Sequence, residues 1–366
     1  MPRVIIDKIC KTYGSKKVLD NVSLEIDERS FVCLLGPPGG GKTTLLKILA
    51  GLESPDSGQV YFGDKEVTYE EPNKRDVSMC FQNFALYPHM TVFKNIASPL
   101  YAKGFSESEI KKKVMDVTTF LKIERFLDRK PTNLSGGEMQ RVSIARALAK
   151  EAGIVLLDEI FVNLDYKLRE SMRIEFKALF DRLSMTSIFS TPDPEDALSL
   201  AHKVAIQHEG KILQYDTREQ VYNYPVDVFT GVYMGHPEMN TVDCKIVQES
   251  GGKPAIDAES FIVHIDNAAS GKIERKGYVF GIRPENIQIN EKEKPQTSIT
   301  LKGKMALTEV IGSDTIVHIT VGKHTLKAFV PGIYRSASGK DLWIGFEPES
   351  VYLFDQASGK LEIRGI

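Results

Sequence analysis

Cysteine, tryptophan, long apolar runs and any surplus of one sign of charge are what this chain has least of. Its four cysteines, Cys10, Cys33, Cys80 and Cys244, are scattered through 366 residues without metal-ligand spacing, which excludes a disulfide scaffold and a cysteine-built metal centre. Cys10 and Cys33 fall in strand-like segments and are expected to behave as small buried hydrophobes. The strongest apolar runs, Phe31–Leu35 and Ile154–Leu157, fall far short of the ~20 residues a membrane-spanning helix requires. Met1 to Lys8 do not pair a charged flank with a long apolar core, so no secretory signal is expected. Lys+Arg 47 against Asp+Glu 49 leaves a net charge of −2, without the basic excess of a dedicated nucleic-acid binder. Residues 241–366 alone carry 16 basic and 16 acidic residues. At 42% hydrophobic and 26% charged, the composition is that of a globular, soluble, cytosolic chain of two or three domains.

What is present begins with order along the chain. Short apolar runs alternate with helical patterns over the first two-thirds: strands at Val4–Ile9, Ser30–Leu35, Ile154–Leu157, Ser187–Phe189 and Val204–Ile206, helices at Thr43–Ala50, Glu107–Phe126 and Ser135–Lys150. Strands separated by helices predict a largely parallel sheet covered on both faces. After about Gly235 the pattern becomes short alternating stretches, at Phe261–Ile265, Tyr278–Ile282, Thr315–Thr320, Thr325–Phe329 and Leu342–Phe346, punctuated by Gly, Pro, Asn and Asp. That spacing predicts a small β-barrel or sandwich. The expected division is residues 1–236, with a helical subdomain at about 86–150, and 237–366.

Three motifs carry chemistry. Gly36-Pro37-Pro38-Gly39-Gly40-Gly41-Lys42-Thr43 fits G-x-x-x-x-G-K-[ST] between a predicted strand and a predicted helix, the setting in which glycine-loop N–H groups wrap phosphate oxygens. Lys42 would supply a cation to the β- and γ-phosphates and Thr43 a hydroxyl ligand for Mg²⁺. Ile154-Val155-Leu156-Leu157-Asp158-Glu159 delivers two carboxylates to the sheet's C-terminal edge; Asp158 suits a Mg²⁺ shell, and Glu159 can orient or deprotonate a water. By itself, a strand ending in Asp-Glu is more often only a solvated loop; the neighbouring phosphate loop tips that balance. In Leu134-Ser135-Gly136-Gly137-Glu138-Met139-Gln140-Arg141, Ser135 and Glu138 have capping-box spacing. Capping does not account for Gly136 and Gly137, which are costly in a first helical turn and imply close approach to the backbone.

Together with Phe81-Gln82 and Asn163-Leu164-Asp165, these motifs resemble, over roughly residues 3–235, the ATP-binding subunit of an ABC transporter. Phe280 to Glu285, Ile344 to Phe346 and Phe354 to Gly359 resemble the oligonucleotide-binding-like (TOBE) extension of carbohydrate importers, and Phe84 to Met90 resembles the same branch. The resemblance implies an α/β P-loop NTPase fold followed by an all-β regulatory domain, and ATP with Mg²⁺ as ligands. It places Tyr13 under the adenine, Thr44 beside Thr43 at the nucleotide, Gln82 between Mg²⁺, the attacking water and the membrane partner, and Asp165 in a loop crossing between subunits. Ser135, Gly136, Gly137 and Glu138 would hold the ATP of a second ATPase subunit, identical or a paralogue. The remaining partners implied are two transmembrane permease subunits and, indirectly, a solute-binding protein, but no nucleic acid. The site implied is the cytoplasmic face of the inner membrane, and the activity ATP-driven uptake of a sugar, polyol, glycerol or glycerol-phosphate-type solute.

The pattern also breaks. Pro192 stands where the family places a histidine at the γ-phosphate, and proline has neither imidazole nor backbone N–H. Pro38 replaces a small polar loop residue, and Ile160 follows Glu159 where proline is usual. His202, ten residues beyond Pro192, is expected to be structural. Thr191 to Leu198 and His236 to Thr241 resemble a glycerol/polyol subgroup with paired ATPase subunits. A regulatory partner subunit with weak hydrolysis and a non-transport ABC ATPase are the alternatives; the second commonly has fused units or coiled-coil insertions, which this chain lacks.

Overall fold

The computed structural model describes residues 2–162, 164–183, 185–248, 254–265, 274 and 276–366; Asn163 lies outside the described residues. The chain forms two compact units, Met1–Arg218 and Glu219–Ile366. The first runs β1 (Val4–Tyr13), β2 (Lys16–Ile26), β3 (Phe31–Leu35), α1 (Lys42–Ala50), β4 (Ser57–Phe62), β5 (Lys65–Glu66), β6 (Val77–Cys80), α2 (Val92–Ala102), α3 (Glu107–Phe120), α4 (Gly136–Ala149), β7 (Ile154–Asp158), α5 (Tyr166–Leu183), β8 (Thr186–Thr191), α6 (Pro194–Leu200), β9 (Lys203–His208) and β10 (Lys211–Thr217).

Every residue of β3, β7 and β8 is buried, as central strands of a sheet covered on both faces are, and in β3 and most of β7 the run is continuously apolar. Among the described residues they centre a six-stranded sheet of order β10-β9-β3-β8-β7-β6, parallel throughout except at the β9–β10 edge. The Val4–Ile9 run lies in β1 of a separate antiparallel sheet, order β2-β1-β4-β5. Its β1–β2 link is a two-residue turn at Gly14-Ser15, a length that can only join antiparallel neighbours. Side chains of both sheets share a core with Leu45, Leu46, Ile48 and Leu49 of α1.

Two expectations are corrected. The pattern read as one helix over Glu107–Phe126 stops at Phe120: Lys122 takes a left-handed φ of +57°, while its N–H bonds Thr119 O and the Ile123 N–H bonds Thr118 O. This is a Schellman ending, and a short 3₁₀ turn, Glu124–Phe126, follows. Cys33, Cys80 and Cys244 are buried, but Cys10 is only half-buried and accepts the Asn21 N–H through sulfur.

The second unit opens with two short helices, α7 (Arg218–Asn223) and α8 (Val228–Tyr233), then β11 (Asn240–Gln248), β12 (Pro254–Asp257), β13 (Ile262–His264), β14 (Gly277–Ile282), β15 (Gln288–Asn290), β16 (Ile299–Ile311), β17 (Asp314–Val321), β18 (His324–Val330), β19 (Asp341–Phe346), β20 (Val351–Asp355) and β21 (Leu361–Arg364). They form two antiparallel sheets, β13-β12-β11-β14-β20-β21 and β15-β19-β16-β17-β18, around a core including Phe280, Val317, Ile344 and Leu353. The 13-residue β16 went unread in the sequence because glycine fills one of its inward positions: a Cβ on Gly303 would stand 2.7 Å from Ile319. Arg283 is 1% exposed. Its guanidinium lies 3.7 Å over the Tyr222 ring and donates to Tyr222 O (2.5 Å) and Gly231 O (3.4 Å), so α7 and α8 are tied to β14.

Candidate active site

The phosphate loop leaves β3 at Leu35 and enters α1 at Lys42. Gly36 passes so close to β9 that a Cβ there would lie 1.9 Å from Gln207 O, and Gly41 caps α1 at φ +96°. Gln207 Nε2 braces the loop from below, donating to Gly40 O at 3.0 Å. Lys42 folds back so that Nζ donates to Gly36 O (2.8 Å) and Pro37 O (3.0 Å), 3.5 Å from Glu159 Oε1. Burial lowers its ammonium pKa, while Glu159 and Asp158 oppose the shift. Pro38 and Gly39 line the exposed rim; Gly39 has φ +77°, and nothing lies within 4 Å of where its Cβ would be. The rim therefore leaves room for phosphate.

Asp158 ends β7, 3% exposed. Oδ1 accepts the Thr43 hydroxyl at 2.9 Å and the Ser190 hydroxyl at 2.7 Å, and among the described residues no cationic side chain forms an ion pair with it. A buried carboxylate whose hydrogen-bond donors are all neutral is costly. Beside the Thr43 hydroxyl it forms an all-oxygen set of the kind Mg²⁺ takes, so these residues fit that ion. Glu159 follows at φ +47°, a left-handed conformation costing roughly 1–2 kcal/mol for a residue with a Cβ. Its Oε2 accepts from Gln82 Nε2 at 2.9 Å. Lys42, Thr43, Gln82, Asp158 and Glu159 thus form one connected cluster.

Tyr13, 46% exposed, ends β1. Partial burial, then hydrogen bonding with Glu53, raises its phenol pKa, against a smaller opposing contact with the Thr44 hydroxyl. Lys11, held by Glu53 (2.7 Å), stands 5.3 Å from the ring centre.

Ser135 caps α4 and Glu138 completes the box: Ser135 Oγ accepts Glu138 N (3.4 Å), and Glu138 Oε2 accepts Ser135 N (2.8 Å). The two glycines divide. Gly136 is open, with nothing within 4 Å of where a Cβ would stand, whereas a Cβ on Gly137 would lie 2.2 Å from Leu168 Cδ2. Leu168 follows Asp165, whose Oδ1 accepts Leu168 N at 3.0 Å. Among the described residues no hydrogen bond joins Ser135–Glu138 to the phosphate loop; this chain alone does not unite the two motifs.

A third feature is a cavity of about 580 Å³ lined by Phe81, Ala85, Tyr87, Pro99, Ala102 and Arg146, among others. Phe84 and Ala85 both take left-handed φ, +63° and +48°. Arg146 donates to Ala85 O (2.8 Å) and Phe84 O (3.1 Å) and lies 5.6 Å over the Tyr87 ring. Asn95 holds Tyr87 through both backbone groups.

Pro192 lies between β8 and Asp193, the cap of α6. Arg173 spans Asp193, Glu195 and Asp196 at 3.1, 2.8 and 2.6 Å, Arg169 adds Asp193 at 3.0 Å, and Thr191 Oγ1 donates to Asp196 at 2.7 Å. His202 is structural: Nδ1 accepts Phe31 N at 3.1 Å. Sequence reasoning missed Ser190 and Gln207, whose only signal is their place at the ends of parallel strands. No described helix is long and apolar enough to cross a membrane.

Comparison with known proteins follows the same division. The ABC transporter family matches residues 19–162, and the TOBE domain matches residues 280–354. The chain is 37% identical over 357 residues to the sulfoquinovosyl glycerol transport ATP-binding protein of Agrobacterium fabrum, covering 97% of this chain and 98% of that one. It is 35% identical over 374 residues to the trehalose/maltose import ATP-binding protein of Thermococcus litoralis (98% and 99%). It is 36% identical over 359 residues to the sn-glycerol-3-phosphate import ATP-binding protein of Chromobacterium violaceum (97% and 95%). Among solved structures, a dimeric ATP-binding cassette in a post-hydrolysis state bound to ADP and Pi is similar at TM-score 0.54 and 31% identity, covering 59% of this chain and 98% of that one.

Proposed function

This chain belongs to the ABC transporter ATP-binding family, and from that premise we propose that it works as the ATP-hydrolysing motor subunit of an importer for a carbohydrate- or glycerol-type solute. The observation that carries this reading is the connected cluster of Lys42, Thr43, Gln82, Asp158 and Glu159 at the C-terminal edge of a parallel sheet. The relatives' names span a sulfoquinovosyl glycerol, trehalose/maltose and glycerol-3-phosphate; we place the cargo in that range, with glycerol or a related polyol favoured by residues 191–198 and 236–241.

Lys42 holds the β- and γ-phosphates of ATP, the N–H groups from Gly39 to Thr44 wrap the phosphate oxygens, and Tyr13 stacks on the base. Mg²⁺, when bound by the Thr43 hydroxyl, Asp158 and the Gln82 amide oxygen, supplies charge neutralisation at the phosphates. Glu159 accepts a proton from, or orients, the attacking water, and Gln82 fixes its carboxylate. Ser135 to Glu138 serve the ATP of a second ATPase subunit, and the open Gly136 is the position a phosphate approaches. Closure on ATP and opening after hydrolysis drive two permease subunits by differential binding. Those permeases dock at the cavity beside Tyr87, which keeps this chain peripheral at the cytoplasmic membrane face.

A second reading, binding with slow turnover beside a paralogous subunit, is favoured by Pro192, which presents no donor at the γ-phosphate turn. Glu159→Gln decides between hydrolysis and its absence. ATP binding by the variant at parental affinity with ATPase reduced at least 100-fold is the expected result; equal rates in variant and parent refute hydrolysis at this site.

A further inference from the structure

We propose that Ser190 is a positioning residue for hydrolysis, fixing both members of the Asp158–Glu159 pair from the strand beside them. The proposal rests on the roles given to those carboxylates above.

Ser190 is the ladder partner of Asp158 in the β7–β8 pairing and is 1% exposed, so water cannot substitute for its hydroxyl. That hydroxyl makes two contacts with opposite polarity. Oγ donates its proton to Asp158 Oδ1 at 2.7 Å and accepts the Glu159 N–H at 3.1 Å, which uses its one donor and one lone pair consistently. The same Glu159 N–H is shared with Ser190 O at 3.1 Å. Glu159 needs such anchoring because its left-handed backbone is unfavourable for a glutamate and persists only where the surroundings over-determine it.

Asp158 needs it for a different reason. Its second donor is the Thr43 hydroxyl, which belongs to the phosphate loop, so Ser190 is the donor that the sheet itself supplies to Asp158. Two residues on, Pro192 brings no hydrogen-bond donor to the turn. Alignment of the carboxylate pair therefore comes from the strand preceding that turn. Pattern reading could not reach this: Asp158 and Ser190 lie 32 residues apart, and a serine ending a strand has a bland explanation as a strand terminus.

Ser190→Ala and Ser190→Thr in the full-length chain test the proposal, with Glu159→Gln alongside. For Ser190→Ala, kcat is expected to fall about tenfold, some 1.4 kcal/mol of barrier, with KM for ATP within about twofold, since the phosphate loop is untouched. In nucleotide-free protein, amide exchange at Glu159, followed in a peptide over 154–162, is expected to accelerate about tenfold. Ser190→Thr keeps the hydroxyl and is expected to retain the slow exchange. Parental kcat and exchange in Ser190→Ala overturn the proposal, as does equal impairment of the Ala and Thr variants with exchange unchanged in both. A parental rate in Glu159→Gln overturns the underlying assignment of Glu159; loss there but not in Ser190→Ala overturns this proposal alone.

Discussion

A methyl group added at Gly137 is expected to act through Leu168, and a double-mutant cycle exposes it. In Gly137→Ala the new Cβ would sit 2.2 Å from Leu168 Cδ2. Carbon atoms rest about 3.5–4.0 Å apart, so the isobutyl group must retreat by roughly 1.3–1.8 Å. Leu168 is half-buried; displacing it forfeits about half of the ~1.5–3 kcal/mol that full burial of a leucine contributes. Forcing it off its rotamer adds about 0.5–1.5 kcal/mol. These sum to about 2 kcal/mol, replacing a helical glycine by alanine returns about 1 kcal/mol, and at ~2–4 °C per kcal/mol for a unit of this size the melting temperature should drop by about 2–4 °C. Leu168→Ala alone should cost about 1 kcal/mol. The double variant has no clash left to relieve and keeps alanine's helical gain, so it should melt above Leu168→Ala, a coupling of about 1–2 kcal/mol. Scanning fluorimetry of the four proteins measures the cycle. Additive losses would show that Leu168 is not why position 137 is glycine.

Tyr13→Ala should raise KM for ATP about 5- to 150-fold, the range of ~1–3 kcal/mol for stacking a base on an aromatic ring. Its kcat should stay within about twofold, and inhibition by tripolyphosphate, which lacks a base, should not move; a shift in that inhibition would tie Tyr13 to the phosphates instead. In the second unit, Asp355 accepts the Ser358 hydroxyl and N–H (2.6 and 2.7 Å) and pairs with Lys276 at 2.9 Å. The Ser358 hydroxyl first, then Lys276, holds its carboxyl well below the usual range. A depressed folded pKa contributes stability above the unfolded value of about 3.9 that is lost as pH falls below it. Thermal stability of that unit should decline on acidification below about pH 4, and Asp355→Asn should flatten the decline; an unchanged acid limb contradicts the linkage.

What could be read in the sequence was contiguous. The phosphate loop, the Asp158-Glu159 strand end and the Ser135–Glu138 capping box each occupy a handful of consecutive residues with a period or spacing of their own, and each took its expected local structure. What could not be read depends on residues far apart in the chain. Ser190 and Gln207 gain their meaning from parallel neighbours β7 and β3, a pairing no local pattern announces. Close approach to the signature backbone was legible, but the residue making it at Gly137, Leu168, was not. The end of α3 was missed because its left-handed stop is a lysine rather than glycine or asparagine, and β16 because Gly303 interrupts the apolar alternation.

The Arg283 anchor bears on how such chains exchange parts. Residues 219–233 are mostly helical and follow directly on the ATPase unit, so a break at the onset of the β-strands looks natural. Yet the guanidinium from the end of β14 stacks on Tyr222 and donates to Tyr222 O and Gly231 O. Severing the polypeptide after α8 would strip the Arg283 guanidinium of the ring it stacks on and of both carbonyls it donates to. The heritable cassette is therefore the β-sheets with their two leading helices: a graft or recombination event that transfers the tail must cross over near Arg218, or it carries an arginine away from its seat.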